Sequence, residues 1–271
     1  MAHGYMKKEL KDLAADLAAY IKELDEDTYM PPHKNVTGDR LPVTSKKLPD
    51  TGRRIPVTGH KSPAPQPADM DTLAAEIRKC HKCQLGNSRL NAVVGVGNPG
   101  AKVVFVGEGP GFQEDHKGEP FVGRSGQLLD KILDTVLGLK REDVYIANIV
   151  KCHPMINPEN PEAHGNDRPP TIEEISACRP YLERQLTLIK PRCIVTLGSV
   201  ATKVLLGVTQ GISFVRGKWY DYPVELFGPG HPIKVLPTYH PAALLRNPNL
   251  KRDTWEDMKM LKAFLESEAV K

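Results

Sequence analysis

From Asp71 onward the chain alternates between short apolar runs of strand length and longer stretches whose apolar residues recur at helical spacing. The pattern predicts a helix over 71–79, a strand in "KVVFVG", a helix over 125–137, a strand in "VYIANIV" and a helix over 171–189. A strand in "RCIVTLG", a helix over 199–206, a strand in "IKVLPTYH" and a closing helix over 249–267 complete the series. Thr171 is placed to cap its helix, with Glu174 positioned to answer the cap. Strands interleaved with helices imply a mainly parallel sheet covered on both faces, and such sheets take ligands beyond the carboxyl ends of their strands. Three stretches occupy those ends: "GEGPGFQEDHKGEPFVGRSG" (107–126), "NIVKC" and "TYHPAALLR".

The first part of the chain reads differently. Leu10, Leu13, Leu17, Ile21 and Leu24 form an apolar stripe, which predicts an amphipathic helix within residues 1–27. Residues 28–70 are expected to be a disordered linker, because they offer too few large apolar side chains to offset the entropy of ordering. Eight prolines fall between residues 31 and 70, where 7 Lys and Arg face 3 Asp and Glu. That basic excess suits a tether or an arm that touches phosphates. The folded domain is therefore assigned to residues 71–271.

Charge interrupts every apolar run near the N-terminus, so no secretory signal is read there. No stretch approaches the ~20 apolar residues of a membrane span. The expected compartment is the cytoplasm, where structural disulfides are unusual. The five cysteines then need another account. Cys80 and Cys83 form a C-x-x-C pair, Cys152 follows "NIVK", and Cys178 lies within the helix over 171–189. Four thiolates from three segments suit a tetrahedral zinc or a four-iron cluster, and spacing does not choose between them. Cys193, inside "CIVTL", reads as a buried free thiol. The run "GVGNPG" at 95–100 has the glycine spacing of a dinucleotide site but precedes a strand instead of opening a helix, so it is set aside.

The 107–126 loop carries six glycines, which allow close backbone approach and positive φ angles. Glu108, Glu114 and Asp115 would repel a phosphate, whereas Phe121 offers a flat face to a planar ligand. "GEGPGFQEDHKGEPFVGRSG", "ANIVKC" and "TYHPAALLRNP", with the Cys80, Cys83, Cys152 and Cys178 set, resemble the iron–sulfur (family 4) uracil-DNA glycosylases. The likeness covers residues 71–267 with the motifs in the family's order. The N-terminal helix and linker lie outside the family's core, and the stretch from Cys152 to Cys178 is longer than usual for it. Covalent DNA-trapping relatives carry a basic, His-containing insertion there. This stretch has His164 but no Lys/Arg cluster, so ordinary turnover is expected.

The resemblance implies an α/β, three-layer fold with a central parallel four-stranded sheet. It also implies a structural 4Fe–4S cluster on the four named cysteines and excision of uracil from single- or double-stranded DNA by a monomer. Glu108 and Gly109 match the first motif, Glu114 the position near the base's 5-edge, and Phe121 the stacking aromatic. Asn148 matches the base-reading amide and His240 the histidine of the last motif. The chemistry agrees. A glycosylase must flip its base out of the stack, an aromatic face holds it, and a fixed amide can both donate and accept. A preorganised His donor stabilises charge on the leaving base. Leu244, Leu245 and Arg246 are expected on an exposed turn that fills the vacated space in the stack. Two other readings are an iron–sulfur redox protein and a non-catalytic module that binds uracil-containing DNA.

Overall fold

The structure is a computed structural model, and it describes residues 69–222 and 233–269. The expected N-terminal helix, and the linker up to residue 68, lie outside the described residues. Asp69 and Met70 belong to the fold and not to the linker. The Asp69 side chain accepts from Thr72 N at 2.7 Å and caps helix α1, Met70–Arg78. Met70 also packs on the core.

The sheet has six strands: β1 Val96–Gly97, β2 Val103–Gly107, β3 Tyr145–Asn148, β4 Cys193–Leu197, β5 Tyr220–Asp221 and β6 Lys234–Thr238. Their order is β1-β3-β2-β4-β6-β5. The four central strands are parallel, as the alternation of elements predicts, and β1 and β5 add one antiparallel edge each. The edges escaped the sequence reading because two residues cannot express a period of two. Along β6, the antiparallel pairing with β5 stops at Val235, short of Pro237, which has no N–H to donate.

Every residue of β2, β3 and β4 is buried, as both-face coverage requires. Alternate side chains serve two cores. Val104, Val106, Ala147, Ile194 and Val235 meet α1, helix α5 (Ile172–Ile189) and helix α6 (Ser199–Leu206). Val103, Phe105, Ile146, Val195 and Leu236 meet helix α4 (Arg124–Ile132), the π-turn Leu133–Leu137 and helix α9 (Lys251–Ala269). The cap on α5 forms as expected: Thr171 Oγ1 accepts from Glu174 N and Glu174 Oε2 accepts from Thr171 N. Four short helices went unpredicted: α2 Leu85–Ser88, α3 Phe112–Lys117 inside the glycine-rich loop, α7 Ile212–Val215, and α8 Pro241–Arg246.

Helix α8 requires one correction. Leu244 is not on an exposed turn: it is 1% exposed, while Leu245 is 39% exposed and Arg246 is exposed too. Successive residues of a helix point about 100° apart, so when Leu244 packs inward Leu245 faces solvent.

Candidate active site

Parallel pairing sets Gly107, the last residue of β2, directly opposite Asn148, the last of β3. A Cβ at Gly107 would stand 2.5 Å from Asn148 Oδ1 and 2.6 Å from the Phe121 ring. Glycine is thus what lets an amide and an aromatic ring converge on one strand end. Asn148 is 2% exposed, and its Oδ1 has no hydrogen-bond partner. A buried carbonyl oxygen left unpaired costs roughly 1–3 kcal/mol, so it marks a place built for a donor. Its backbone oxygen accepts from Lys151 Nζ at 2.8 Å. Lys151 is itself 1% exposed, and burial pushes its ammonium down to about 8. Nothing in the pattern of the chain singled out this lysine, although a charged residue within an otherwise apolar strand run was the available signal.

Phe121 reaches the site in a left-handed conformation, with φ at 53°. For a side chain other than glycine this costs on the order of 1–2 kcal/mol. Such strain persists only where the surrounding structure imposes it. Its ring lies 5.4 Å, centroid to centroid, from that of His240, at a tilt of 32°. His240 caps α8, and its Nδ1 accepts from Ala242 N at 3.1 Å. That bond places the ring's proton on Nε2. Burial, with the Arg246 charge added, pushes the imidazole down to about 4, so it is a neutral donor at physiological pH. Below it, Gly198 (φ 91°) makes a close turn in which an added Cβ would meet His240 Cβ at 3.0 Å. The strand leading to His240 is anchored through Thr238 Oγ1, which donates to buried Asp257 at 2.6 Å.

Glu108 follows Gly107 and is half-buried. Burial pushes its carboxyl up to about 7. Gly109 allows close passage, since a Cβ there would stand 2.8 Å from Val150 Cγ2. Glu114 lies on α3 and holds the loop together. Its Oε1 accepts from Val122 N (2.9 Å) and Gly123 N (3.1 Å), and its Oε2 accepts from Gly111 N (3.2 Å). The long stretch after Cys152 folds back on α3. His153 Nε2 meets Asp167 at 2.6 Å, His116 meets Glu162 at 3.0 Å, and the exposed His164 ring packs 4.3 Å from that of Phe112.

The four motif cysteines line one cavity, together with Arg89, Lys151 and Tyr181. All are free thiols, with Cys152 and Cys178 buried. Among the described residues no group of three or more His, Cys, Asp or Glu is arranged to hold a single metal ion. The four thiols share the lining of this small cavity although they come from three separate segments of the chain. Donors already aim at the sulfurs: Arg89 Nη1 to Cys152 at 2.9 Å, Lys151 N to Cys178 at 3.2 Å and Lys82 N to Cys80 at 3.5 Å. Burial pushes the Cys152 thiol up to about 12 against the pull of Arg89, and raises Cys178 as well. Thiols held protonated in this way must lose their protons before they can bind a metal. Cys193 packs with the other core, as a buried thiol separate from this set.

Residues 94–259 match the family model of the uracil DNA glycosylase superfamily. Several known proteins are similar to this chain over most of their length. The type-4 uracil-DNA glycosylase of Saccharolobus solfataricus is 43% identical over 206 residues, 74% of this chain and 89% of that protein. That of Archaeoglobus fulgidus is 44% identical, over 71% of this chain and 91% of the relative. That of Thermotoga maritima is 42% identical, over 73% and 96% respectively.

Proposed function

This chain belongs to the uracil-DNA glycosylase superfamily, in its type-4 group, and on that premise we propose how its residues remove uracil from DNA. The enzyme flips uracil into the space bounded by Gly107, Asn148, Phe121 and His240 and hydrolyses the bond from base to sugar, leaving an abasic site for repair. The observation that carries this reading is the unpaired Asn148 Oδ1, buried at a strand end beside the Phe121 ring. Uracil's N3–H supplies the missing donor, and its O4 accepts from the amide nitrogen. Cytosine presents the opposite polarity and leaves both unsatisfied. Phe121 stacks on the base, which contributes about 1–3 kcal/mol without choosing among bases. Glu114, held by three backbone N–H groups, is a rigid edge against the 5-methyl of thymine, and apolar contact alone discriminates such a methyl weakly.

As the C1′–N1 bond breaks, its electron pair passes into the uracil ring and the sugar becomes cationic. His240 donates from Nε2 to O2 of the departing base. Ionised Glu108 offsets the sugar's charge and orients the water whose oxygen bonds to C1′; the proton that water then loses balances the negative charge carried off by the uracil ring. Leu245 and Arg246, exposed on α8, occupy the space left in the stack. Cys80, Cys83, Cys152 and Cys178 hold a 4Fe–4S cluster that supplies structural cross-linking of α1, the end of β3 and α5. The protein works as a monomer in the cytoplasm, and among the described residues no helix is long and apolar enough to cross a membrane. The test is excision of uracil from a single-stranded oligonucleotide by the pure protein, without an electron donor, recorded with its visible spectrum. No excision by brown, folded protein would point to the redox alternative.

Two outcomes follow from the geometry. Because Glu108 acts ionised and its carboxyl lies near 7, kcat/KM rises with pH through about 7, falling about tenfold per pH unit below it. In Glu108→Gln the profile is flat. A parent profile already flat across that range assigns the carboxylate no role. Separately, Gly107→Ala fills the space between reader and platform. Overpacking of this kind costs about 1–3 kcal/mol, here borne by Asn148 and Phe121, so excision drops at least about tenfold while the melting temperature changes by a few degrees. Normal excision by this variant would mean that the base does not sit there.

A further inference from the structure

The geometry points to Arg141 as the positioning residue of the stacking platform, a role that rests on the reading of Phe121 given above. Arg141 opens the short 3-10 turn Arg141–Asp143, well outside the three motifs. Its guanidinium reaches back to two consecutive carbonyls of the loop: Nη2 donates to Pro120 O at 2.5 Å and Nη1 to Phe121 O at 2.9 Å. Nη1 also meets Asp130 Oδ1 at 2.8 Å, which anchors the fork to α4. On the far side of the same residue, Glu114 Oε1 accepts from Val122 N and Gly123 N. The peptide groups flanking Phe121 are therefore held from both directions by charged side chains.

That arrangement explains how a phenylalanine stays at φ 53°. The left-handed region is disfavoured for any residue with a Cβ, so the conformation persists only where its surroundings impose it. Helix α4 closes the third side: a Cβ at Gly126 would fall 1.7 Å from Phe121 O, so only glycine lets the helix start there. Arg141 is the donor to the Phe121 carbonyl, and its planar fork spans two oxygens at once. Lysine, a single point charge, cannot reproduce it. When the fork is lost, the backbone of Phe121 relaxes out of the left-handed region and the ring leaves the plane in which it meets the base.

The experiment uses the full chain with Arg141→Met, Arg141→Lys, Phe121→Ala and the Arg141→Met/Phe121→Ala double variant. Single-turnover excision of uracil and affinity for the abasic product are measured for each. Arg141→Met is expected to lose about tenfold in excision, within the range that base stacking supplies. Arg141→Lys keeps the charge beside Asp130 and the melting temperature, yet still loses most of that rate. Affinity for abasic DNA, which has no base to stack, stays within about twofold of the parent. In the Phe121→Ala background the Arg141 change adds no further loss, because it acts only through the ring. Multiplying losses in the double variant, or a parallel drop in abasic affinity, would assign Arg141 to general structure and overturn the proposal. Parental excision by Phe121→Ala would instead sink the platform reading itself, and Arg141's role with it.

Discussion

Asn148→Asp is expected to excise uracil at least about 10²-fold more slowly above about pH 8, where the new carboxylate is ionised. In the proposed reading the parent amide meets uracil with an acceptor toward N3–H and a donor toward O4. Ionised aspartate keeps the acceptor and replaces the donor with lone pairs, so O4 faces repulsion in a desolvated pocket. A correct two-point contact with a base carries about 1–3 kcal/mol of discrimination, and an unpaired buried group adds a penalty of about 1–3 kcal/mol, more when charged. Together they come to about 2–6 kcal/mol, a range whose middle lies above the 2.7 kcal/mol or so that a hundredfold loss requires, with the new charge pushing it upward. When protonated, the same side chain offers a carbonyl to N4 of cytosine and a hydroxyl to its N3, so cytosine becomes a weak substrate as pH falls. Folding and visible absorption stay at parental values. Excision of uracil at the parent rate would remove Asn148 from the role of reader.

His240→Ala is expected to lose about 10²–10³-fold in the chemical step, the usual effect of deleting one preorganised donor to a developing anion. The bond from Ala242 N to Nδ1 already commits the proton to Nε2. Burial and Arg246 push the imidazole down to about 4, so it stays neutral through the neutral pH range. In the proposed mechanism the donor is thus always ready, and the acid limb of the rate profile is expected to follow Glu108. His240→Asn shortens the reach but keeps a donor, and should recover part of the loss. The informative measurement is single-turnover rate against pH for parent and both variants. A parent limb that moves or disappears in His240→Ala would show that the histidine titrates during the reaction, contrary to its buried neutral state.

Much of this enzyme is legible along the chain. The unbroken apolar runs of "VVFV", "VYIA" and "CIVTL" read as strands buried on both faces, and the intervening helical periods point to a mainly parallel sheet, which the four central strands form. Thr171 and Glu174 announced a helix start that the structure reproduces bond for bond. Glycines, amide, aromatic and histidine at the strand ends are the candidates for a site, and the fold brings Gly107, Asn148, Phe121 and His240 close together. These features are local, because burial period, capping and strand-end position depend only on neighbours a few residues away.

Other features have no local trace. Gly107 and Asn148 face each other because parallel pairing brings β2 and β3 into that register. Whether Leu244 or Leu245 meets solvent follows from how α8 docks on the core. Arg141 looks like any surface arginine until the fold carries it to the carbonyls of Pro120 and Phe121. The histidine's tautomer comes from the Ala242 N–H that the turn into α8 aims at Nδ1, while the orphaned amide oxygen and the raised Glu108 carboxyl arise from desolvation where strand ends converge. Burial there is a property of the assembled sheet and its covering helices. The chemistry of each side chain is written in its residue type, but its charge state, partner and direction come from groups that only folding brings within a few ångströms.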